Sequence, residues 1–239
     1  EALAPAQSAR LDAMLRRRVV HEPLSRILGE REFYGRRFEI SPATLDPRPD
    51  SETLIAAALE LMGAEVHGRD TRLLDLGVGS GCLLVTLLAE IGDRASGVGT
   101  DISPDALGVA RRNADALGLA ARARFIHADL AEGVAGPFDL IVSNPPYIAS
   151  AEVDTLDASV RLYDPRLALD GGPDGLVFYR RIAQAAPVLA AGWVVLEVGH
   201  TQAQAVADLL AGAGFTDPRT FKDVAGRIRV VAARSRKAR

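Results

Sequence analysis

The chain has a single cysteine, Cys82, in 239 residues. One thiol excludes an internal disulfide framework and matches a reducing compartment. Aromatic residues make up only 5% of the chain. No apolar run approaches the roughly 20 residues that a membrane-crossing helix needs. Positive charge is not in excess: 28 Lys and Arg stand against 31 Asp and Glu, a formal net charge of −3. The global basic field that would draw in nucleic acid is therefore missing. Internal repeats, low-complexity linkers and a signal-peptide pattern are lacking too. The chain opens on Glu1 rather than Met, and the expectation is that a further N-terminal segment precedes it.

What is present is an ordinary globular composition, 48% hydrophobic and 25% charged, long enough for one large domain or one domain with an appendage. Residues Pro5 to Val20 carry Ala, Leu and Arg at helical spacing and read as the last helix of a larger helical unit. "SRILGEREFYGRRFEI" holds two short β-prone runs around Tyr34-Gly35, a hairpin. A helix is expected after "PRPD", with Asp50 as its N-cap, running to about Met62.

From Arg72 onward the pattern alternates. "RLLDLG", "SGVGTDIS", "ARFIHADL" and "FDLIVSNPPY" read as strands, with helices "CLLVTLLAEIG" and "PDALGVARRNADALG" after the first two. A helix over 174–190, the strand "GWVVLEVG", a helix over 201–213 and the strand "RIRVVAAR" complete the run. This predicts an α/β fold with a doubly wound, mostly parallel sheet covered on both faces. Such sheets bind ligands beyond the carboxyl ends of their strands, where the strand order reverses.

Four strand ends carry polar chemistry. In "LLDLGVGSGC", Gly77, Gly79 and Gly81 make a G-x-G-x-G turn between a strand and a helix, which lets backbone N–H groups come close to a ligand. A dinucleotide site needs its third glycine one position later. Asp75 before the loop favours a cationic ligand over a pyrophosphate. Asp101, ending the next strand, has the geometry to accept both hydroxyls of a ribose, and Asp129 to accept from an amine such as adenine's. The plainer alternative is a tight turn with capping aspartates. At the fourth end the apolar strand stops at Asn144-Pro145-Pro146-Tyr147. Prolines give up ladder hydrogen bonding, so that stop serves something other than the sheet.

At these residues the chain resembles the class I S-adenosylmethionine-dependent methyltransferases, through "DLGVGSG", "TDIS", "HADL" and "NPPY" in that order. It resembles more narrowly the HemK-like enzymes that methylate a glutamine of peptide chain release factors. "EPLSRILGEREFYGRRFEISPATLDPRPDSETL", "SNPPYIAS", "DPRLALDGGPDGLVFYRRI" and "FKDVAGRIRVV" carry that likeness, from about Glu22 to the end. The resemblance implies a seven-stranded Rossmann-like domain over 43–239, a hairpin linker over 26–42 and the end of a helical domain over 1–25. It implies S-adenosylmethionine, leaving as S-adenosylhomocysteine, against Asp75, Gly77, Val78, Gly79, Ser80 and Gly81 of the loop. At the other strand ends it implies contacts from Asp101, Ile102, Asp129, Leu130 and Asn144. The implied partner is a class 1 release factor, acted on in the cytoplasm by a monomer without nucleic-acid or membrane binding. The chain departs from the family pattern at "PRPDSE", at "YDP" and at Val78, which bears on Asp50 and Asp164 as contacts.

A carboxamide nitrogen is a poor nucleophile because its lone pair is delocalised. Two acceptors, the Asn144 side-chain carbonyl and the Pro145 backbone carbonyl, are expected to hold its N–H groups so that the lone pair faces the methyl group. Pro145 and Pro146 stiffen the turn, and Tyr147 is expected to form an aromatic wall. An N(6)-adenine DNA methyltransferase is the alternative, since an exocyclic amine poses the same problem, but it needs a basic groove. A glutamine methyltransferase of a ribosomal protein and a non-catalytic binding module are further alternatives. His21, His67, His127 and His200 lack ligand spacing, so no metal is expected. Cys82 and Trp193 read as packing, and Arg16-Arg17-Arg18 and the terminal "RSRKAR" as solvated charge.

Overall fold

The computed structural model describes residues 4–66 and 69–236, so His67 and Lys237 to Arg239 lie outside the described residues. The chain begins with helix α1 (Pro5–Val19), which buries none of its side chains, and the short α2 (Leu24–Leu28). The hairpin follows as β1 (Glu30–Phe33) and β2 (Arg36–Glu39). Tyr34 and Gly35 at its turn both have positive φ, 49° and 71°, the pairing that suits the twist of a two-residue hairpin. Phe33 and Phe38 meet edge to face at 6.2 Å and are buried in the main core.

A seven-stranded sheet forms the body. Its strands are β3 (Thr71–Leu76), β4 (Ala95–Asp101), β5 (Ala123–His127), β6 (Phe138–Ser143), β7 (Ala190–Glu197), β8 (Thr216–Lys222) and β9 (Ile228–Arg234). The order is β5-β4-β3-β6-β7-β9-β8, parallel from β5 to β7 and antiparallel at β9 and β8. The order reverses between β3 and β6, which places a crevice there.

Alternate residues of the central strands face opposite layers. Leu73 and Val195 enter one core, with α3 (Glu52–Met62), α4 (Cys82–Ile91) and α5 (Pro104–Ala116) over them. Leu74 and Val194 enter the other, under α8 (Val177–Leu189) and α9 (Ala203–Gly212). Burial on both faces explains the near-continuous apolar runs of β3, β6 and β7. A Cβ on Gly97 of β4 would lie 2.5 Å from Leu84 of α4, so glycine lets that helix come close to the sheet. Two further short helices, α6 (Ser150–Val153) and α7 (Ala158–Arg161), lie between β6 and α8.

Two expectations change. Six strands were legible, and the seventh, β8, was not: "TDPRTFK" is almost wholly exposed and carries Pro218. An edge strand buries too little to show alternation, and it tolerates proline. Asp50 does not cap α3. It sits in a 3-10 turn over Pro49–Ser51 and pairs with Arg229 at 2.9 Å, so its carboxylate serves an ion pair.

Candidate active site

A cavity of about 310 Å3 opens at the carboxyl ends of β3, β4, β5 and β6. Among its walls are Gly77, Val78, Gly79, Ser80, Asp101 and Ile102, together with Asp129, Leu130, Asn144, Pro145 and Pro146. Four strand ends read separately from the sequence therefore meet at one space.

The glycine loop works differently from the expectation. Gly77, Gly79 and Gly81 have φ of 75°, 54° and 83°, values that glycine adopts at little cost. Their amides, however, are already used. Gly77 and Val78 N–H donate to Thr100 O at 2.9 and 2.8 Å, and Gly81 N–H to Val78 O at 2.8 Å. Gly79 N–H donates to Asp101 Oδ2 at 2.9 Å. What those positions give a ligand is room, since their donors are turned to the protein itself. Gly81 caps α4 against Ala110 and does not line the cavity.

The aspartates divide into two kinds. Asp101 faces the cavity, and its Oδ1 accepts from Ser103 N–H at 2.9 Å. Burial raises its pKa, and the backbone N–H groups of Ser103 and Gly79 oppose that rise. Each oxygen keeps a free lone pair for a diol. Asp75 lies behind the wall: it is fully buried, and its Oδ2 accepts from Leu84 N–H at 3.2 Å, in the first turn of α4. Its expected contact with the ligand is replaced by a contact with the helix start. Burial pushes this carboxyl up to about 7. Asp129 pairs with Arg181 of α8 at 2.9 Å, and both line the cavity.

At the fourth end, Ser143 Oγ donates to Leu76 O at 2.6 Å and ties β6 to β3. Asn144 follows, half-buried, and its Nδ2 donates to Ser51 Oγ at 3.2 Å. Behind the prolines, Ile148 N–H donates to Leu169 O, Gly171 N–H donates to Ile148 O, and Gln202 Nε2 donates to Tyr147 O at 2.9 Å. Tyr147 itself does not line the cavity. A Cβ on Gly199 would lie 3.5 Å from its ring, and burial pushes its phenol up to about 12. The expected aromatic wall is thus replaced by the aliphatic faces of Pro145 and Pro146.

Several residues escaped the sequence reading. The segment 43–48 roofs the cavity, and Arg48 lines it. This roof is held by Asp164, whose buried carboxylate takes Arg26 at 2.6 Å and Arg48 at 2.5 Å. Arg26 also donates to Thr44 O at 2.6 Å and to Ser41 O. Neither Asp50 nor Asp164 lines the cavity. Asn113 of α5 joins β2 to the glycine loop, donating to Glu39 O at 2.9 Å and Ser80 O at 2.8 Å. Arg48 and Ser51 lie in the quoted "PRPDSE", so a signal was present without an assigned role. Cys82 has its thiol pushed up to about 12 by burial, which keeps it protonated. Among the described residues no group of three His, Cys, Asp or Glu side chains is placed to hold a metal.

A family model described as Methyltransferase small domain matches residues 51–170. A release factor glutamine methyltransferase of Rhodospirillum rubrum is 48% identical over 238 residues, spanning 99% of this chain and 72% of that protein. One from Bradyrhizobium diazoefficiens is 48% identical over 235 residues, spanning 97% and 79%. In three dimensions the chain is similar to a 16S rRNA methyltransferase of Thermus thermophilus solved with AdoMet and guanosine. The TM-score is 0.59 at 23% identity, over 87% of this chain and 50% of that one, a likeness of fold.

Proposed function

The chain belongs to the release factor glutamine methyltransferase family, and from that premise we propose the reaction it catalyses. A methyl group passes from S-adenosylmethionine to the side-chain amide nitrogen of the glutamine in the Gly-Gly-Gln loop of a class 1 release factor. The products are N(5)-methylglutamine, S-adenosylhomocysteine and a proton released to solvent. The observation that supports this most directly is that Asn144 shares one cavity with Gly79 and Asp101.

The residues present fit such a donor. Asp101 offers two oxygens with spare acceptor capacity, Asp129 a second carboxylate, and Ile102 and Leu130 apolar surface on the same cavity. Two carboxylates at the wall match a ligand that carries positive charge. When bound, the donor supplies a methyl group on a sulfonium. The protein's part is to accept the substrate N–H groups on Asn144 Oδ1 and the Pro145 carbonyl, which keeps the nitrogen lone pair aimed. Positive charge grows on that nitrogen during transfer, and acceptor dipoles fixed in advance lower the barrier. Pro145 and Pro146 hold φ, so little reorganisation is needed. The same proposal carries the division at 25/26 and 42/43, a monomer, a cytoplasmic location and no nucleic-acid or membrane partner.

The test is incubation with labelled S-adenosylmethionine and a purified release factor, its Gln-to-Ala loop variant, or duplex DNA. Label is expected on the intact loop alone. Label on DNA, or equal label on the loop variant, would overturn the proposal.

A further inference from the structure

Ser51 stands at the N-cap position of α3, yet its hydroxyl caps nothing. An unused serine there forgoes about 1 kcal/mol of helix stability. The hydroxyl instead accepts from Asn144 Nδ2 at 3.2 Å and sits beside the carboxylate of Glu197, whose ionised form it favours. Glu197 ends β7, only 1% exposed. Ser143 pairs with Leu196 across β6 and β7, so Asn144 and Glu197 follow at adjacent strand ends, and the Asn144 side chain also favours the ionised carboxylate.

Burying a carboxylate is costly unless it is well paired. Here the nearby cation, Arg229, is held by Asp50 at 2.9 Å and Asp223 at 3.0 Å, and reaches Glu197 only through space. Oε2 of Glu197 has no hydrogen-bond partner among the described residues. No fold-level need accounts for an acid at this point. Its neighbour does.

Above about pH 7, where Glu197 is ionised, its carboxylate only accepts hydrogen bonds, whereas a carboxamide has an NH2 on one side and a carbonyl on the other. With Ser51 taking an N–H and the Glu197 carboxylate beside it, the Asn144 NH2 is turned toward that pair. Its Oδ1 then points the opposite way, toward the cavity that Asn144 and Ser51 both line.

We propose that Glu197 is a positioning residue for methyl transfer: directly and through Ser51, it fixes the flip of the Asn144 carboxamide, so that carbonyl rather than NH2 meets the substrate amide. This deepens the reading of Asn144 given above and rests on it. A wrong flip presents donors to a substrate that also has donors, and the grip is lost. The arrangement further excludes aspartate from position 144. A carboxylate there would meet the Glu197 carboxylate in a buried setting.

The experiment compares four forms of the full chain: unaltered, Glu197→Gln, Asn144→Asp and the double variant. Turnover of labelled S-adenosylmethionine with release factor is measured beside S-adenosylhomocysteine binding. Glu197→Gln keeps the shape but offers either end of an amide, so kcat is expected to fall at least about tenfold while KM and cofactor affinity stay within about twofold. Asn144→Asp is expected to lose more. Adding Glu197→Gln to Asn144→Asp is expected to raise turnover above that of Asn144→Asp alone, because the glutamine NH2 can donate to the new carboxylate. A harmful change that becomes helpful in the second background is the signature of the orienting contact. Unchanged turnover of Glu197→Gln, or equal loss in both backgrounds, would overturn the proposal.

A second readout needs no activity. The Asn144 Nδ2 protons, followed by NMR in the free protein, are expected to exchange slowly and to lose that protection in Glu197→Gln and Ser51→Ala. Absence of protection in the unaltered chain would refute the orientation. Protection in a chain that labels no release factor would uphold the orientation and sink the functional reading alone.

Discussion

Gly79 N–H and the Asp101 carboxylate are joined at 2.9 Å, so the loop after β3 is held open by the residue that ends β4. The same carboxylate takes Ser103 N–H at 2.9 Å and thereby fixes both sides of the cavity mouth. Asp101→Ala removes the acceptor proposed for the ribose and also releases the loop. We expect the dissociation constant of S-adenosylmethionine to rise at least about tenfold, since hydrogen bonds to charged groups contribute roughly 1.5–3 kcal/mol. Isothermal titration of the purified variant measures it. An unchanged constant would remove Asp101 from the proposed site.

Asn144→Ala deletes the side-chain acceptor but leaves the prolines and the glycine loop in place. Loss of one fixed dipole aimed at developing charge costs about 10²–10³ in kcat. Cofactor affinity is expected to fall by much less than that. Single-turnover labelling separates the two effects, and a variant that retained full turnover would contradict the proposed grip.

Asp164 is expected to matter more to the fold than its distance from the cavity suggests. Its carboxylate and the Arg26 guanidinium are both almost fully buried, and Arg48 adds a more exposed third partner. Removing one side of a buried pair strands the other, at about 3–5 kcal/mol. Asp164→Ala should therefore lower the urea midpoint strongly and expose the roof segment 43–48 to protease. Arg48→Ala, with one end already solvated, should cost far less. Equal effects from the two variants would show that the pair is not the clasp.

These contacts mark the limit of what the residues alone disclose. The strand end at Asn144 was legible because a buried parallel strand makes an apolar run that stops at a polar residue, and those at Asp101 and Asp129 because strands and helices alternate around them. The glycine loop was legible by spacing. That its amides bond to Thr100 and Asp101 was not, because the partner carbonyl lies on a neighbouring strand. Asp164 meets residues more than 100 positions away, and Glu197 reads as one more residue of an apolar strand. Local patterns locate elements; pairings between distant elements follow only from the packed fold.

Gly171 and Gly175 form the wall behind the proline turn. A Cβ on Gly171 would lie 2.7 Å from Pro146 O, and one on Gly175, whose φ is 71°, would collide with Tyr147 O. Neither backbone oxygen can yield without moving the turn. Gly175→Ala is expected to cost about 1–3 kcal/mol from the left-handed φ alone. Turnover should fall more than cofactor binding, because the displaced atoms belong to the acceptor side. Steady-state kinetics with release factor, beside cofactor titration, tests the split, and equal losses in both would argue for general unfolding.

The buried carboxyls give the fold an unusual pH dependence. Asp75 and Glu197 are each pushed up to about 7 by burial, from ordinary values of 3.8 and 4.5. Between those limits the folded chain holds protons that the unfolded chain has released. The stability they contribute is complete below the unfolded values and is lost as pH rises through about 7. Asp101 is raised as well and acts in the same direction. The carboxyls that are lowered, such as Asp174 at about 2, titrate below this window and do not mask it. One pKa unit corresponds to about 1.4 kcal/mol, so the urea midpoint should drop clearly between pH 5 and pH 8, on the order of the shifts cited. Asp75→Asn and Glu197→Gln, each keeping the side-chain shape, should flatten that fall. A midpoint that rises with pH across the window, or a slope untouched by both variants, would mean that these carboxyls are not the buried acids the packing makes them.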